Sequence, residues 1–180
     1  MAADAQHRCL KPIPVAPTEY ALNSQISYQA ASASFKAGHY TQALATINRL
    51  LEVNADARTY ALLARTLSQL GFKTEACKAY LAAAEKGGSS STEHLIDALK
   101  LNFEIGNKDE ALALSSRLQP KQRMQPDIAY VIASIMFERG QLDLAAVFKS
   151  VLVKSDKIDH IKLGIRITAS VWDVFKPSDI

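Results

Sequence analysis

The side chains able to do covalent or acid–base work in this chain are few. They are His7, His39, His94 and His160, the thiols Cys9 and Cys77, and eighteen acidic residues. No histidine stands at a metal-ligand spacing from another histidine, a cysteine or a carboxylate, so the sequence announces no metal site. Cys9 lies in a proline-rich stretch and Cys77 inside an apolar helical pattern. Two such distant thiols read as one loose and one buried, with no redox role. His39 follows a turn glycine and reads as a solvated turn residue. Acid pairs such as Asp109–Glu110 also follow a turn, where negative charge favours a helix start. No nucleophile elbow, phosphate-cradling glycine loop or dinucleotide fingerprint occurs. The chain therefore reads as a non-enzyme with no cofactor and no metal. What remains is recognition chemistry, carried by arginines, lysines, carboxylates and aromatic rings, and that needs a scaffold to present it.

The scaffold is written as a repeat. Gly38, Gly71, Gly106 and Gly140 are spaced by 33, 35 and 34 residues. Five residues after each glycine stands an alanine: Ala43, Ala76, Ala111 and Ala145. Seven residues before each glycine stand Ala31, Ala64, Leu99 and Ala133, and three before it Phe35, Ser68, Phe103 and Phe137. Between these marks Ala43, Leu44, Ile47, Leu50 and Leu51 follow the i, i+3, i+4 stripe of an amphipathic helix. Each unit is thus a helix, a tight turn and a second helix. Glycine suits the turn because it can end a helix with positive φ. A small alanine early in the second helix lets the two helices approach. One unit cannot cover its own apolar faces, so the units must stack.

This pattern resembles the tetratricopeptide repeat, most clearly in "FKAGHYTQAL", "LSQLGFKTEACKAY", "NFEIGNKDEALAL" and "MFERGQLDLAAVF". The resemblance covers residues 24–154, as units 24–55, 57–88, 92–123 and 126–154. It departs from the family where Ala55 and Gly88 replace a closing proline. It departs again where Ser27, Leu95 and Ala129 replace the early aromatic that Tyr60 supplies. The resemblance implies an all-α fold, a right-handed α-solenoid of helix–turn–helix repeats with a C-terminal capping helix. It also implies that the first helices line a concave face that binds a protein or peptide. By register, the residues expected on that face include Tyr28, Phe35 and Lys36, then Arg58, Arg65 and Gln69. Later units add Asp97, Lys100 and Phe103, and finally Asp127, Tyr130 and Phe137. The charges there are sorted. Lys36, Arg58 and Arg65 fall in the N-terminal half, while Glu93, Asp97, Glu104, Asp127 and Glu138 fall in the C-terminal half, Lys100 excepted. Such a groove would orient a bipolar peptide. Some family members clamp acidic chaperone tails with basic residues on successive first helices. Here Tyr28, Ser32, Leu62, Glu93 and Asp97 hold the matching positions, so that ligand is disfavoured.

The boundaries between units are legible. Gly87 and Gly88 stop a helix, and Ser90 with Glu93 reads as a capping box at the next start. Pro120 and Pro126 bracket the third boundary. Residues 1–23 read as a proline-rich tail, since "LKPIPVAPTEY" cannot be helix interior. Residues 156–176 read as the capping helix, opened by Ser155 and Asp156. Within it "IKLGIRIT" also alternates as a strand would, which leaves residues 160–168 open between the two. The apolar load leaves room for a larger protein past Ile180, and Trp172 or Phe175 on an open end could close a homodimer.

Composition bounds the role. A net charge of +3 without a basic cluster argues against a nucleic-acid partner. No apolar run is long enough to span a membrane. The N-terminus carries no signal pattern, so the expected place is the cytoplasm, or the periplasm if a leader was removed before Ala2. The sequence thus points to a scaffold or adaptor that binds a protein or peptide. The alternatives are a chaperone or assembly factor of a secretion or export system, or the repeat domain of a larger enzyme.

Overall fold

The computed structural model describes residues 17–175, and within these every regular element is a helix. The order is α1 (Pro17–Lys36), α2 (Tyr40–Val53), α3 (Ala57–Gln69), α4 (Lys73–Glu85), α5 (Ser91–Glu104) and α6 (Lys108–Ser116). There follow α7 (Pro120–Arg123), α8 (Pro126–Glu138), α9 (Leu142–Ala146), α10 (Lys149–Val153) and α11 (Ile158–Phe175). Consecutive helices pack on one another along the chain, which makes an all-α, right-handed solenoid of four hairpins. The hairpins are α1/α2, α3/α4, α5/α6 and α8 with the broken pair α9/α10. α11 packs on α8, α9 and α10 at the end of the stack.

Four identical turns set the repeat. Gly38, Gly71, Gly106 and Gly140 have φ of +79°, +87°, +85° and +72°. In each, the amide after the glycine donates back to the carbonyl five residues earlier: His39 to Ser34, Phe72 to Leu67, Asn107 to Asn102 and Gln141 to Met136, all at 2.9 Å. These are 6→1 helix stops, and they need a residue at ease with positive φ. No heavy atom crowds these glycines, so conformation alone selects them.

The small residues on either side are the seats of the hairpins. Ala31 and Ala43 share one buried cluster. Ala64, Ala76, Leu99, Ala111, Ala133 and Ala145 belong to the main one. All eight are completely buried. Leu62, Leu99, Ile128, Ile132, Ile135, Leu152 and Ile167 are among the largest fully buried side chains.

Several local expectations change. α1 begins at Pro17, so residues 17–23 of the stretch read as tail are helical. Proline at a first helical position costs no hydrogen bond. Residues 1–16 and 176–180, with His7 and Cys9, lie outside the described residues. The capping box at Ser90 and Glu93 does not form. Instead the Ser91 hydroxyl donates to the Ala84 carbonyl at 2.7 Å and ties the start of α5 to the end of α4. A capping box forms at Gln119 and Gln122, where the Gln119 amide donates to the Gln122 Oε1 at 2.8 Å. Residues 160–168 are helical, within α11. Gly164 in this stretch is a close-contact position in the helix. A Cβ at that position would lie 2.8 Å from Val153 Cγ2 and 3.2 Å from Leu152 Cβ.

Candidate functional site

The first helix of each hairpin, and α11 after them, contributes to one face. Along it each aromatic ring is covered by a group from the next first helix. The Arg58 guanidinium of α3 lies 5.7 Å from the centroid of Tyr28 on α1. Arg65, two turns on, lies 5.9 Å from Phe35. Phe103 of α5 meets Tyr130 of α8 edge-on at 6.3 Å and 87°. Tyr130 in turn stacks on His160 of α11 at 4.6 Å. Arg166 of α11 covers Phe137 of α8 at 4.9 Å. These rings are half-buried. They therefore join successive helices while leaving one edge on the face, which is how aromatic side chains combine packing with recognition.

The carboxylates are linked in a second ladder. Lys100 Nζ and Lys157 Nζ hold the two oxygens of Asp127, at 3.2 and 2.6 Å. Lys73 pairs with Glu104 at 3.2 Å, and Lys108 pairs with Glu138. Arg139 reaches Asp109 at 2.5 Å. The hydrogen bond from Lys157 is the main reason the Asp127 carboxyl sits below the usual carboxylate range. Three of the five carboxylates expected at the acidic end are thus paired. Glu104, Asp127 and Glu138 are each neutralised by a lysine that the sequence places about thirty residues away. Among the described residues, Glu93 and Asp97 meet no cation at ion-pair distance.

Those two acids face the arginines across one cavity of about 540 Å³. Its walls are Tyr28 of α1, Arg58 and Arg65 of α3, Tyr80 of α4, and Glu93, His94 and Asp97 of α5. The loop Gly87–Gly88–Ser89–Ser90 closes one side. Burial of its carboxyl within these walls raises the pKa of Asp97, with Lys100, His94 and Arg65 opposing. Burial likewise pushes the Tyr80 hydroxyl up to about 12, with Asp97 adding to the rise. It remains a neutral hydrogen-bonding group. The cavity offers cationic, anionic and aromatic walls within one space. A second, smaller cleft of about 300 Å³ lies beside Tyr130, Ser134, Phe137, Lys162 and Arg166.

The twelve residues expected on the face divide accordingly. Tyr28, Arg58, Arg65 and Asp97 meet at the 540 Å³ cavity. Tyr130 and Phe137 line the smaller cleft, with Phe103 beside them. Phe35 lies under Arg65, and Lys100 and Asp127 hold each other. Lys36 and Gln69 are exposed and line neither cavity. The sequence reading missed Tyr80, His94 and the glycine–serine loop. It also missed His160 and Arg166, because α11 carries no turn glycine to set its register. Among the described residues no group of three or more His, Cys, Asp and Glu could hold a metal ion. No helix among them is long and apolar enough to cross a membrane. Cys77 is buried in α4, and burial raises its thiol pKa to about 11, Glu104 adding to the rise, so it stays protonated.

No protein-family model matches the chain, and no curated protein matches it. Among solved structures, the crystal structure of a thermophilic TPR protein of Thermus thermophilus is similar. It shares 19% identity, covering 82% of this chain and 98% of that one, with a TM-score of 0.32. At that TM-score the likeness bears no weight, and the fold rests on this chain's own geometry.

Proposed function

We propose that the chain is a tetratricopeptide-like interaction module that binds an extended segment of another protein on the face of its first helices, as a scaffold or adaptor. The cavity between α3 and α5 carries the reading. It sets Arg58 and Arg65 against Glu93 and Asp97, with Tyr28 and Tyr80 between them. A segment with one acidic and one basic side chain fits such walls better than a uniformly acidic tail does. The repeat pattern of the sequence adds to this, since stacked hairpins of this kind create extended binding faces. A role as an assembly chaperone would use the same face.

The test is a charge reversal in the full chain, Arg65→Glu combined with Asp97→Lys. The double variant should keep the far-UV circular dichroism of the wild type. It should lose, by at least about tenfold in affinity, whichever protein co-purifies with the native chain. A partner bound equally well by both would overturn the reading.

A further inference from the structure

The register of the solenoid continues into α11. Arg65 covers Phe35, and Arg166 covers Phe137; both rings stand three residues before their turn glycine. Arg166 therefore occupies in α11 the position of Arg65 in α3, and α11 is the first helix of a fifth hairpin. The residue before Arg65 is Ala64, and the residue before Arg166 is Ile165. In the four hairpins this position holds Ala31, Ala64, Leu99 and Ala133. Each is completely buried where the second helix comes in. Ile165 is 58% exposed. The faces of α11 turned back to the fourth hairpin are covered as usual, with Ile167 and His160 buried. Among the described residues, the side that a second helix would cover is open.

That open side is a helical seam. Ile158, Ile165 and Trp172 are seven residues apart and 67%, 58% and 73% exposed. Thr168 and Ala169 lie between them, and Val153 of α10 borders them at 47% exposure. A seven-residue apolar spacing suits contact with another helix along the whole length.

We propose that the seam is covered by α11 of a second copy of this chain, each copy lying on the other where the second helix of a hairpin would lie. Direction favours it. The second helix of a hairpin runs antiparallel to the first, and a twofold axis across Ile165 also sets two α11 helices antiparallel. That axis places Trp172 of each copy beside Ile158 of the other. The small residues Thr168 and Ala169 leave room for the approach. Size sets the strength. Covering the exposed parts of these side chains on both copies removes on the order of 1,000 Å², at the low end for specific interfaces. The dimer is therefore concentration-dependent, and the seam is distinct from the groove positions of Arg166 and His160, so it does not rest on the groove reading.

Trp172 is the only tryptophan in the chain and reports on the seam directly. Light scattering and tryptophan emission are measured on the 180-residue chain from roughly 10 μM to 1 mM. The mass should rise from 19.7 kDa towards twice that value, with the emission maximum moving to shorter wavelength. Ile165→Asp should abolish both changes with unaltered circular dichroism, and Ala169→Glu, a second exposed site, should do the same. A chain that stays monomeric with solvent-exposed emission throughout would overturn the proposal. A dimer that survives both substitutions would overturn it too.

Discussion

Arg166 covers the ring of Phe137, 4.9 Å from its centroid, and so binds the last helix to the fourth hairpin. The contact repeats that of Arg65 with Phe35 at the other end of the molecule. The proposed recognition face and the interhelical packing are thus built from the same pairs. The rings cannot be altered for one purpose without touching the other.

Arg166→Ala removes this contact from a partly exposed site, where a cation over a ring contributes about 0.5–1 kcal/mol. For a chain of this size the melting temperature should fall by about 2–4 °C per kcal/mol. Arg166→Lys should lose only part of that. Thermal denaturation of the three proteins checks the order.

Gly164→Ala sets helix propensity against packing. Alanine gains about 1 kcal/mol over glycine within a helix. The added methyl, however, would stand 2.8 Å from Val153 Cγ2 and 3.3 Å from the Val153 amide nitrogen. Overpacking of this kind costs about 1–3 kcal/mol, so the variant should be less stable. Val153→Ala removes the nearest atom, and in that background the substitution should cost markedly less. Urea denaturation of the double-mutant cycle reads the difference.

Gly71→Ala tests the turn. The space around Gly71 is open, so no clash arises, but φ is +87°. An L-residue there costs roughly 1–2 kcal/mol, and Gly71→Asn should be milder, since asparagine tolerates that region. Equal melting temperatures for glycine and alanine would contradict the account of the repeat.

Asp127 and Asp97 give opposite responses to pH. The Asp127 pKa is lowered, first by the hydrogen bond from Lys157. Its contribution is present above its unfolded pKa of 3.8 and is lost as pH falls through the lower folded value. The Asp97 pKa is raised by burial, so the ionised group opposes folding at neutral pH, and that cost disappears as pH falls through its folded value towards 3.8. Asp97→Asn should raise the melting temperature at pH 7 and leave it unchanged at pH 3. Asp127→Asn should lower it at pH 7. With Asp97 in the proposed binding cavity, such a pattern also predicts that Asp97→Asn weakens binding while it stabilises the fold.

The four glycine turns, the alanine seats and the hairpins they define were readable from residue spacing. The reason is that a repeat forces the same local conformations at fixed intervals. The same register put Tyr28, Arg58, Arg65 and Asp97 on one expected face, and in the structure these four line one cavity. Which charges remain available was not readable. Lys73, Lys108 and Lys157 reach Glu104, Glu138 and Asp127 across about thirty residues, and only the stacking of one hairpin on the next brings them together. Tyr80 entered the cavity from a second helix, and the glycine–serine loop entered as a wall, because a cavity is bounded by everything around it and not by one register. The last helix shows the same division. Its apolar residues were plain in the sequence, but without a turn glycine its phase was not. Only the seating of Arg166 on Phe137 fixed which of them are buried and which stand open.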